Sequence, residues 1–240
     1  MRAVELLILL TANLGSTIKV FSFNTTEVWE EYSCATLVQR PTKPLPERFI
    51  ACFAMKQDKP DGRSPFLMRG QIGLPWIDFG IWNYDEQIAF WEEVGKSEWK
   101  MFNILPRLWK FWRHICADID TLSGNITVSI DGTPSVTNTF EKLSKQKPTG
   151  LDLDLGWTEA INAAGGIQSF RGEVSNFHFY SSNGSLSTET LSKKPCETQG
   201  NYLAWKGVKF SILGKNVLIL NETEKDVCTV QPEFYNVLLP

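Results

Sequence analysis

The stretch Trp112–Pro134, which reads WRHICADIDTLSGNITVSIDGTP, decides the fold of this chain. From residue 126 to residue 130 every second residue is apolar, and the residues between them are polar. An alternation with this period predicts a β-strand with one buried face. A Ser-Gly pair at 123–124 precedes the strand and an Asp-Gly pair at 131–132 follows it; both pairs are typical of tight turns. The stretch therefore predicts two antiparallel strands joined by a turn, with Cys116 on the first.

The composition is that of a packed globular protein. The chain has 240 residues, of which 42% are hydrophobic and 21% charged, enough for one sizeable β-sandwich or two small domains. Nine tryptophans and fifteen phenylalanines favour strands around an aromatic core. The net charge of -3 and the pI of about 5.5 give no electrostatic footprint for nucleic acid.

The first 16 residues are predicted to be a secretory signal peptide. Arg2 precedes the apolar run 6–10, and the small residues Gly15 and Ser16 suit a cleavage site. The alternative is a buried N-terminal strand. Residues 17–240 then form one domain, and no other segment reaches the roughly 20 apolar residues that a membrane span needs.

Glycosylation sequons support an extracellular localisation. Four Asn-x-Ser/Thr patterns occur, and several fall beside predicted turns, where a glycan is tolerated. Their asparagines are Asn24, Asn125, Asn183 and Asn221.

Further strands follow from the same periodicity. Residues 48–56 are apolar on both faces, which predicts a central strand covered on both sides. Residues 170–179 predict a strand whose apolar parity shifts, so that a bulge is expected near Ser175-Asn176. Ser187 suits the N-cap of one short helix, the only helix expected. An edge strand is predicted around 20–23, and further strands at 31–38 and 151–155. Residues 88–91 and 99–102 are predicted to form the two arms of a hairpin. Two last strands are predicted at 208–212 and 217–220, with a turn at 214–216 between them. The aromatic and basic run 105–113 reads as a sandwich strand or as a membrane-touching or partner-binding patch.

The order of several short motifs resembles that of pentraxins and the related laminin-G-like domains. The resemblance spans residues 20–220. It implies an antiparallel two-sheet jelly-roll sandwich of the concanavalin A-like type. The chain departs from the family where Asp118-Ile119 replaces a Ser/Thr-Trp pair. The matching motifs are His114-Ile115-Cys116, Ser123-Gly124, Asp131-Gly132-Thr133-Pro134, Phe170-x-Gly172-x-Val174, Leu186-Ser187-Thr188-Glu189 and Asn201-x-Leu203-x-Trp205.

The five cysteines are expected to oxidise in a secreted chain. The resemblance implies a Cys52–Cys116 disulfide between two core strands, which we expect to join the two layers across the interior. Cys196–Cys228 is the preferred second pair, because each cysteine flanks the C-terminal strands. Cys34 is then a buried thiol or an inter-chain link. The alternative is a disulfide between Cys34 and either Cys196 or Cys228. A zinc site is not expected, since no Cys-x-x-Cys occurs and both histidines lie in predicted strands.

Pentraxins generally bind their ligands through calcium, so the resemblance implies a set of oxygen ligands. Gln168 matches one family ligand and Asp78 matches another, but Phe79 stands where an asparagine is expected. Glu159 is the carboxylate of the long loop, and Gly165 stands where a further acidic ligand is expected. Three candidate ligands are too few for tight binding, so we expect no cofactor and a degraded or absent calcium site.

The sequence therefore predicts an extracellular recognition module that binds a glycan, a lipid head group or another protein. The candidate binding residues are Asp78, Trp157, Glu159 and Gln168, where Trp157 either stacks on a sugar or packs under its loop. An alternative is a structural module that assembles into a homo-oligomer, because the family often forms rings.

A glycan hydrolase on the same fold ranks third, and the chain is not expected to be an enzyme. Such enzymes need two carboxylates flanking the scissile bond. The nearest candidates, Asp118 with Asp120 and Asp152 with Asp154, read more simply as solvent-facing rows. No Gly-x-Ser-x-Gly motif supports a serine hydrolase.

Overall fold

The fold consists of two antiparallel sheets in a computed structural model. The structure describes residues 16–23, 34–39, 41–57, 66–69, 76–81, 88–94, 96–102, 110–141, 151–156, 170–182, 185–214 and 216–230. Within them, each sheet has seven strands. The first sheet contains β1 (Thr17–Phe23), β3 (Arg48–Lys56), β8 (Arg113–Asp120), β9 (Asn125–Ile130), β10 (Val136–Thr139), β12 (Gly172–Ser181) and β14 (Val217–Thr223), in the order β10-β9-β8-β3-β12-β1-β14.

The second sheet packs on the first and shares its core. Its strands are β2 (Cys34–Leu37), β4 (Phe66–Arg69), β5 (Trp76–Ile81), β6 (Ile88–Val94), β7 (Lys96–Phe102), β11 (Asp152–Leu155) and β13 (Phe210–Leu213), in the order β13-β2-β11-β4-β5-β6-β7. The helices are α1 (Thr188–Lys193), α2 (Glu224–Cys228) and a 3₁₀ turn at Trp205–Gly207. Among the described residues, neither α-helix approaches the length and apolarity of a transmembrane span. The predicted all-β, two-sheet fold is confirmed.

The hairpin of β8 and β9 forms as its alternation predicts. The apolar side chains of Ile126, Val128 and Ile130 are buried in the core. Asp120 shapes the turn by accepting a hydrogen bond from the backbone N–H of Leu122, at 2.9 Å. The turn after β9 places the Asp131 backbone at a φ of 50°, a left-handed conformation that aspartate tolerates.

Strand β3 is the centre of the first sheet and is covered on both faces, as predicted. It pairs with β8 on one side and β12 on the other, and every residue from 49 to 55 is buried. One face joins the core between the sheets. On the other face, Ile50 and Cys52 pack with Tyr180 and with Leu191 of α1. Ser187 caps that helix by accepting the backbone N–H of residue 190, so the predicted short helix is confirmed.

The predicted bulge in β12 is also present. Ser175 pairs with Ala54 and His178 with Cys52, so that two residues of β12 oppose one of β3. Within the bulge, Asn176 has a φ of 51°. The shift of apolar parity in the sequence is therefore the trace of one extra residue.

Both expected disulfides are present, but the first lies elsewhere than predicted. Cys52 and Cys116 are cross-strand neighbours in the same sheet, with Cα atoms 4.1 Å apart. The bridge therefore lies on the face under α1, and the expectation that it joins the two layers is wrong. The second bridge, Cys196–Cys228, ties the segment after α1 to α2. Cys34 belongs to neither bridge; it is buried, with its Sγ 3.8 Å from the Thr36 hydroxyl, which favours the buried-thiol interpretation.

One local prediction needs correction, and others fall outside the description. The first strand is not an edge strand, because β1 is held between β12 and β14. The strands before and after 214–216 belong to different sheets. Helix α2 was not predicted. The hairpin of β6 and β7 is confirmed, whereas residues 1–15 and 103–109, with most of the aromatic and basic run, lie outside the described residues.

Candidate functional site

The predicted binding residues belong mainly to the segment that joins the two sheets. Trp157, Glu159 and Gln168 lie outside the described residues, within the 157–169 segment between β11 and β12. Both ends of that segment are described. The backbone N–H of Phe170 donates a hydrogen bond to the carbonyl of Gly156, at 3.2 Å. The segment therefore leaves and re-enters the sandwich at one point, which we call the neck.

The neck is fixed by aromatic packing. Gly156 has a φ of +77°, and a Cβ built on it would lie 2.3 Å from the ring of Phe23, so this position requires glycine. Phe170 is fully buried, with its ring centroid 5.9 Å from that of Phe23. Gly172 repeats the pattern with a φ of +149° and the Lys56 carbonyl where its Cβ would stand. A rigid base of this kind is what positions a recognition loop.

The strand register brings Asp78 to the level of the neck. In β4, Leu67 pairs with Asp78 of β5 on one side and with Asp154 of β11 on the other. Two inter-strand spacings separate the backbones of the two aspartates, about 10 Å. Asp154 lies two residues before Gly156. The backbone of Asp78 is therefore near the base of the loop, although its side chain lies outside the description.

The two aspartate pairs do not form solvent-facing rows, so that interpretation is wrong. Asp118 is 9% exposed, and it accepts hydrogen bonds from Arg48 Nη2 at 2.6 Å and Nε at 3.1 Å. This hydrogen-bonded pairing raises the pKa of Arg48. Asp154 is 6% exposed. One member of each pair is therefore buried, and Asp120 is engaged in a turn.

His178 is a structural histidine, as the sequence predicted. Its Nε2 lies 2.8 Å from the Asn176 Oδ1, and its Nδ1 accepts the backbone N–H of Trp205 at 3.2 Å. The second contact assigns the proton to Nε2. Burial lowers the pKa of His178 to about 4. The ring therefore stays neutral and links the bulge to the 3₁₀ turn.

His114 is equally buried but lacks such contacts. Neither of its ring nitrogens makes a hydrogen bond of good geometry to a described residue. Burial lowers the pKa of His114 to about 3; the backbone of Val227 opposes that shift, and the charge of Arg113 adds to it. No group of three possible metal ligands occurs in the part of the chain that the structure describes.

A cleft that the sequence did not predict opens between residues 39–43, which follow β2, and the segment after α1. Its volume is 430 Å³, and Thr42, Lys43, Asn201 and Tyr202 are among its lining residues. The Tyr202 hydroxyl donates to the carbonyl of Lys43, at 2.7 Å. Lys43 and Tyr202 lie on opposite walls and are 159 residues apart in sequence, so no local sequence pattern could reveal the cleft. Part of the Asn-x-Leu-x-Trp motif at 201–205 lines the cleft.

Comparison with known proteins agrees with this architecture. The model of the Pentaxin family matches residues 19–219. A native heptameric SAP-like pentraxin from Limulus polyphemus has a TM-score of 0.63 and 18% identity, covering 84% of this chain and 94% of its own. The full extracellular region of zebrafish Gpr126/Adgrg6 has a TM-score of 0.59 and 15% identity, covering 85% and 26%.

A third structure extends the comparison to bacteria. A putative carbohydrate binding protein from Bacteroides ovatus has a TM-score of 0.53 and 15% identity, and the match covers 86% of this chain and 60% of that one. At these identities the structural likeness shows the fold alone. No curated protein sequence matches the chain significantly.

Proposed function

Because this chain belongs to the pentaxin family, we propose that it is a secreted recognition module whose 157–169 loop binds a glycan, a lipid head group or another protein. The observation that carries this proposal is the neck, where the Phe170 N–H closes on the Gly156 carbonyl against the ring of Phe23. A loop held at a rigid base and bearing aromatic and polar side chains is a common way to build a binding site.

The positions of the candidate residues relative to the neck support a single site. Trp157 directly follows Gly156, and Gln168 precedes Phe170 by two residues. Since a residue spans at most about 3.5 Å of extended chain, both lie within about 7 Å of the neck. Glu159 lies within about 10 Å by the same measure. With the Asp78 backbone about 10 Å from Asp154, all four can converge.

Secretion is part of this proposal. Two disulfides and a buried fifth cysteine suit a chain that folds in an oxidising compartment. The apolar run near the N-terminus and the sequons point the same way. The proposal contains no catalytic step.

Binding is proposed to need no calcium. The family implies such an ion, but the donors at two implied positions are replaced by Phe79 and Gly165. A calcium ion requires six to eight oxygen atoms. Asp78, Glu159 and Gln168 alone do not fit that requirement.

The test is binding of the purified full chain to glycan and lipid arrays, with and without a chelator. We expect a defined class of ligand to bind equally in both conditions, and Trp157→Ala to weaken binding about tenfold if the ring stacks on a sugar. Leu122→Ala, which removes an exposed apolar side chain outside both the loop and the 105–113 run, is the control. Absence of binding on both arrays contradicts the proposal for glycans and lipids, and loss of binding with chelator contradicts its calcium independence.

Assembly into a ring is the second candidate function. The Limulus protein is described as heptameric, and this chain has a cleft beside the exposed Val38, which is 59% exposed. Light scattering should give a multiple of the protomer mass, and Val38→Lys should reduce it. Leu122→Lys, at an exposed position in the β8–β9 turn, is the control. A monomeric wild-type chain contradicts assembly without affecting the recognition proposal.

A further inference from the structure

Strand β14 is an apolar edge strand. It pairs with β1 along all seven of its residues, and the described part of the chain places no strand on its other side. Leu218 is 50% exposed and Ile219 is 53% exposed. Its first five residues, Val-Leu-Ile-Leu-Asn, carry no charge and no proline. An exposed edge of this kind pairs readily with another strand, so a soluble protein needs a device to protect it.

The same strand carries a sequon at the position that suits such a device. Asn221 is exposed and stands two residues after Ile219, on the same face of the strand and about 7 Å along it. Within the described residues the Asn221 amide has no hydrogen-bond partner. The other two sequon residues are engaged: Glu222 accepts the Trp112 indole N–H at 3.1 Å, and Thr223 accepts the Asp226 N–H at 3.1 Å as the cap of α2.

We propose that Asn221 carries an N-linked glycan that covers the β14 edge and prevents its pairing with a second copy of the chain. The donor is an oligosaccharide linked to a lipid pyrophosphate. The bond between the Asn221 side-chain nitrogen and the anomeric carbon forms while the bond from that carbon to the pyrophosphate oxygen breaks. The lipid pyrophosphate leaves with the electron pair, and the amide loses one proton to a base. The inference rests on the proposed secretion.

The sequon at Asn125 offers an internal comparison. Its side-chain oxygen accepts the Thr139 hydroxyl at 2.6 Å, across the pair formed by β9 and β10. It therefore lies beside the opposite edge of the same sheet, where β10 exposes no large apolar side chain. A glycan at Asn125 has no apolar edge to protect. The remaining sequons, at Asn24 and Asn183, lie outside the described residues.

The experiment expresses the full chain in a eukaryotic secretory cell line and collects the medium. Peptide mass spectrometry before and after enzymatic removal of N-glycans should show Asn221 occupied. Asn221→Gln and Asn125→Gln are then compared with wild type at equal concentrations by size exclusion with light scattering. Asn221→Gln is expected to raise the fraction of higher-mass species severalfold, and Asn125→Gln to leave it unchanged. Adding Ile219→Lys to Asn221→Gln should restore the wild-type distribution, because a charge on the edge blocks pairing.

Two further arms keep the inference falsifiable. Thr223→Ser retains both the sequon and the helix cap and should behave as wild type. Trimming the glycan of folded wild-type protein with an endoglycosidase, which leaves one sugar on a neutral asparagine, should reproduce the association of Asn221→Gln and covers the case in which the variant does not fold. Secreted protein with unmodified Asn221 overturns the inference, as does an unchanged mass distribution after glycan removal. Failure of the chain to be secreted is a separate outcome, which overturns the proposed secretion as well.

Discussion

The two buried histidines predict that the protein loses stability in mild acid. In the folded state the pKa is about 3 for His114 and about 4 for His178, because burial penalises the charged ring. In the unfolded chain both pKa values are close to about 6.5. The unfolded state therefore binds more protons than the folded state between these values. The contribution is fully present above pH 6.5 and is lost as the pH falls towards 4.

The magnitude follows from the linkage relation. One unit of pKa corresponds to about 1.4 kcal/mol, and pH 5 lies about 1.5 units below the pKa of the unfolded imidazole while both folded rings are still neutral. Each histidine then costs about 2 kcal/mol at pH 5, and the pair costs about 4 kcal/mol. Against a typical unfolding free energy of 5–15 kcal/mol, that loss is large. The pKa values of Asp120 and Glu224 are lowered in the folded state, so these carboxylates add to the loss of stability as the pH falls through their unfolded-state values.

The assay is urea unfolding followed by tryptophan fluorescence at pH 8 and at pH 5, with disulfides intact. His114→Leu should halve the difference between the two pH values, leaving about 2 kcal/mol. It should cost less stability at pH 8 than His178→Leu, since neither ring nitrogen of His114 makes a hydrogen bond of good geometry in the described structure. His178→Leu should halve the difference too, but lose stability at pH 8 because the Trp205 N–H loses its acceptor. Equal stability of wild type at the two pH values would refute the reasoning.

Three further predictions concern the bulge, the neck and the second disulfide. Asn176→Ala should lower the free energy of unfolding in urea by about 3 kcal/mol, since it loses hydrogen bonds to Pro195 and His178 and places alanine at a positive φ. Asn176→Gly should lower it by about 1 kcal/mol less, because glycine tolerates that φ. Equal losses of stability in the two variants would contradict a contribution from the backbone. Gly156→Ala should lower the thermal midpoint and weaken ligand binding, because its Cβ meets Phe23. The control Gly207→Ala has open space around it and should change neither. Intact binding by Gly156→Ala would show that the neck does not position the loop. Replacing both cysteines of the 196–228 bridge by serine should reduce the unfolding free energy by about 4 kcal/mol, and a loss below about 1 kcal/mol would show that the bridge is dispensable.

The sequence predicted those features whose cause is local. Three patterns in single strands were informative: the alternation of β9, the two apolar faces of β3 and the parity shift in β12. Each pattern shows which faces of its own strand are buried. The short helix followed from one capping serine. In these segments a side chain's surroundings are decided by strand period and turn chemistry, which the sequence displays directly.

The misses concern partners far apart in the chain. β1 looked like an edge because nothing near residue 20 indicates that β14 pairs with it. Asp118 looked solvent-facing because its partner, Arg48, lies 70 residues earlier. The same limit applied to the disulfide, since pairing of two cysteines does not tell whether their strands are neighbours or face each other. Three of the four predicted binding residues fall outside the described residues, so their convergence stays a prediction.

The position of β1 has a consequence for the order in which the protein takes shape during synthesis. Of the described strands, β1 is the first to leave the ribosome, and it can be enclosed only after the last of them, β14, has followed it. Until then β1 has a single neighbour at most, while the 52–116 bridge can already close. Contacts between residues so far apart in sequence form slowly, so that aggregation-prone intermediates persist in the meantime. A nascent chain stalled before residue 217 is therefore the form that we expect chaperones to retain.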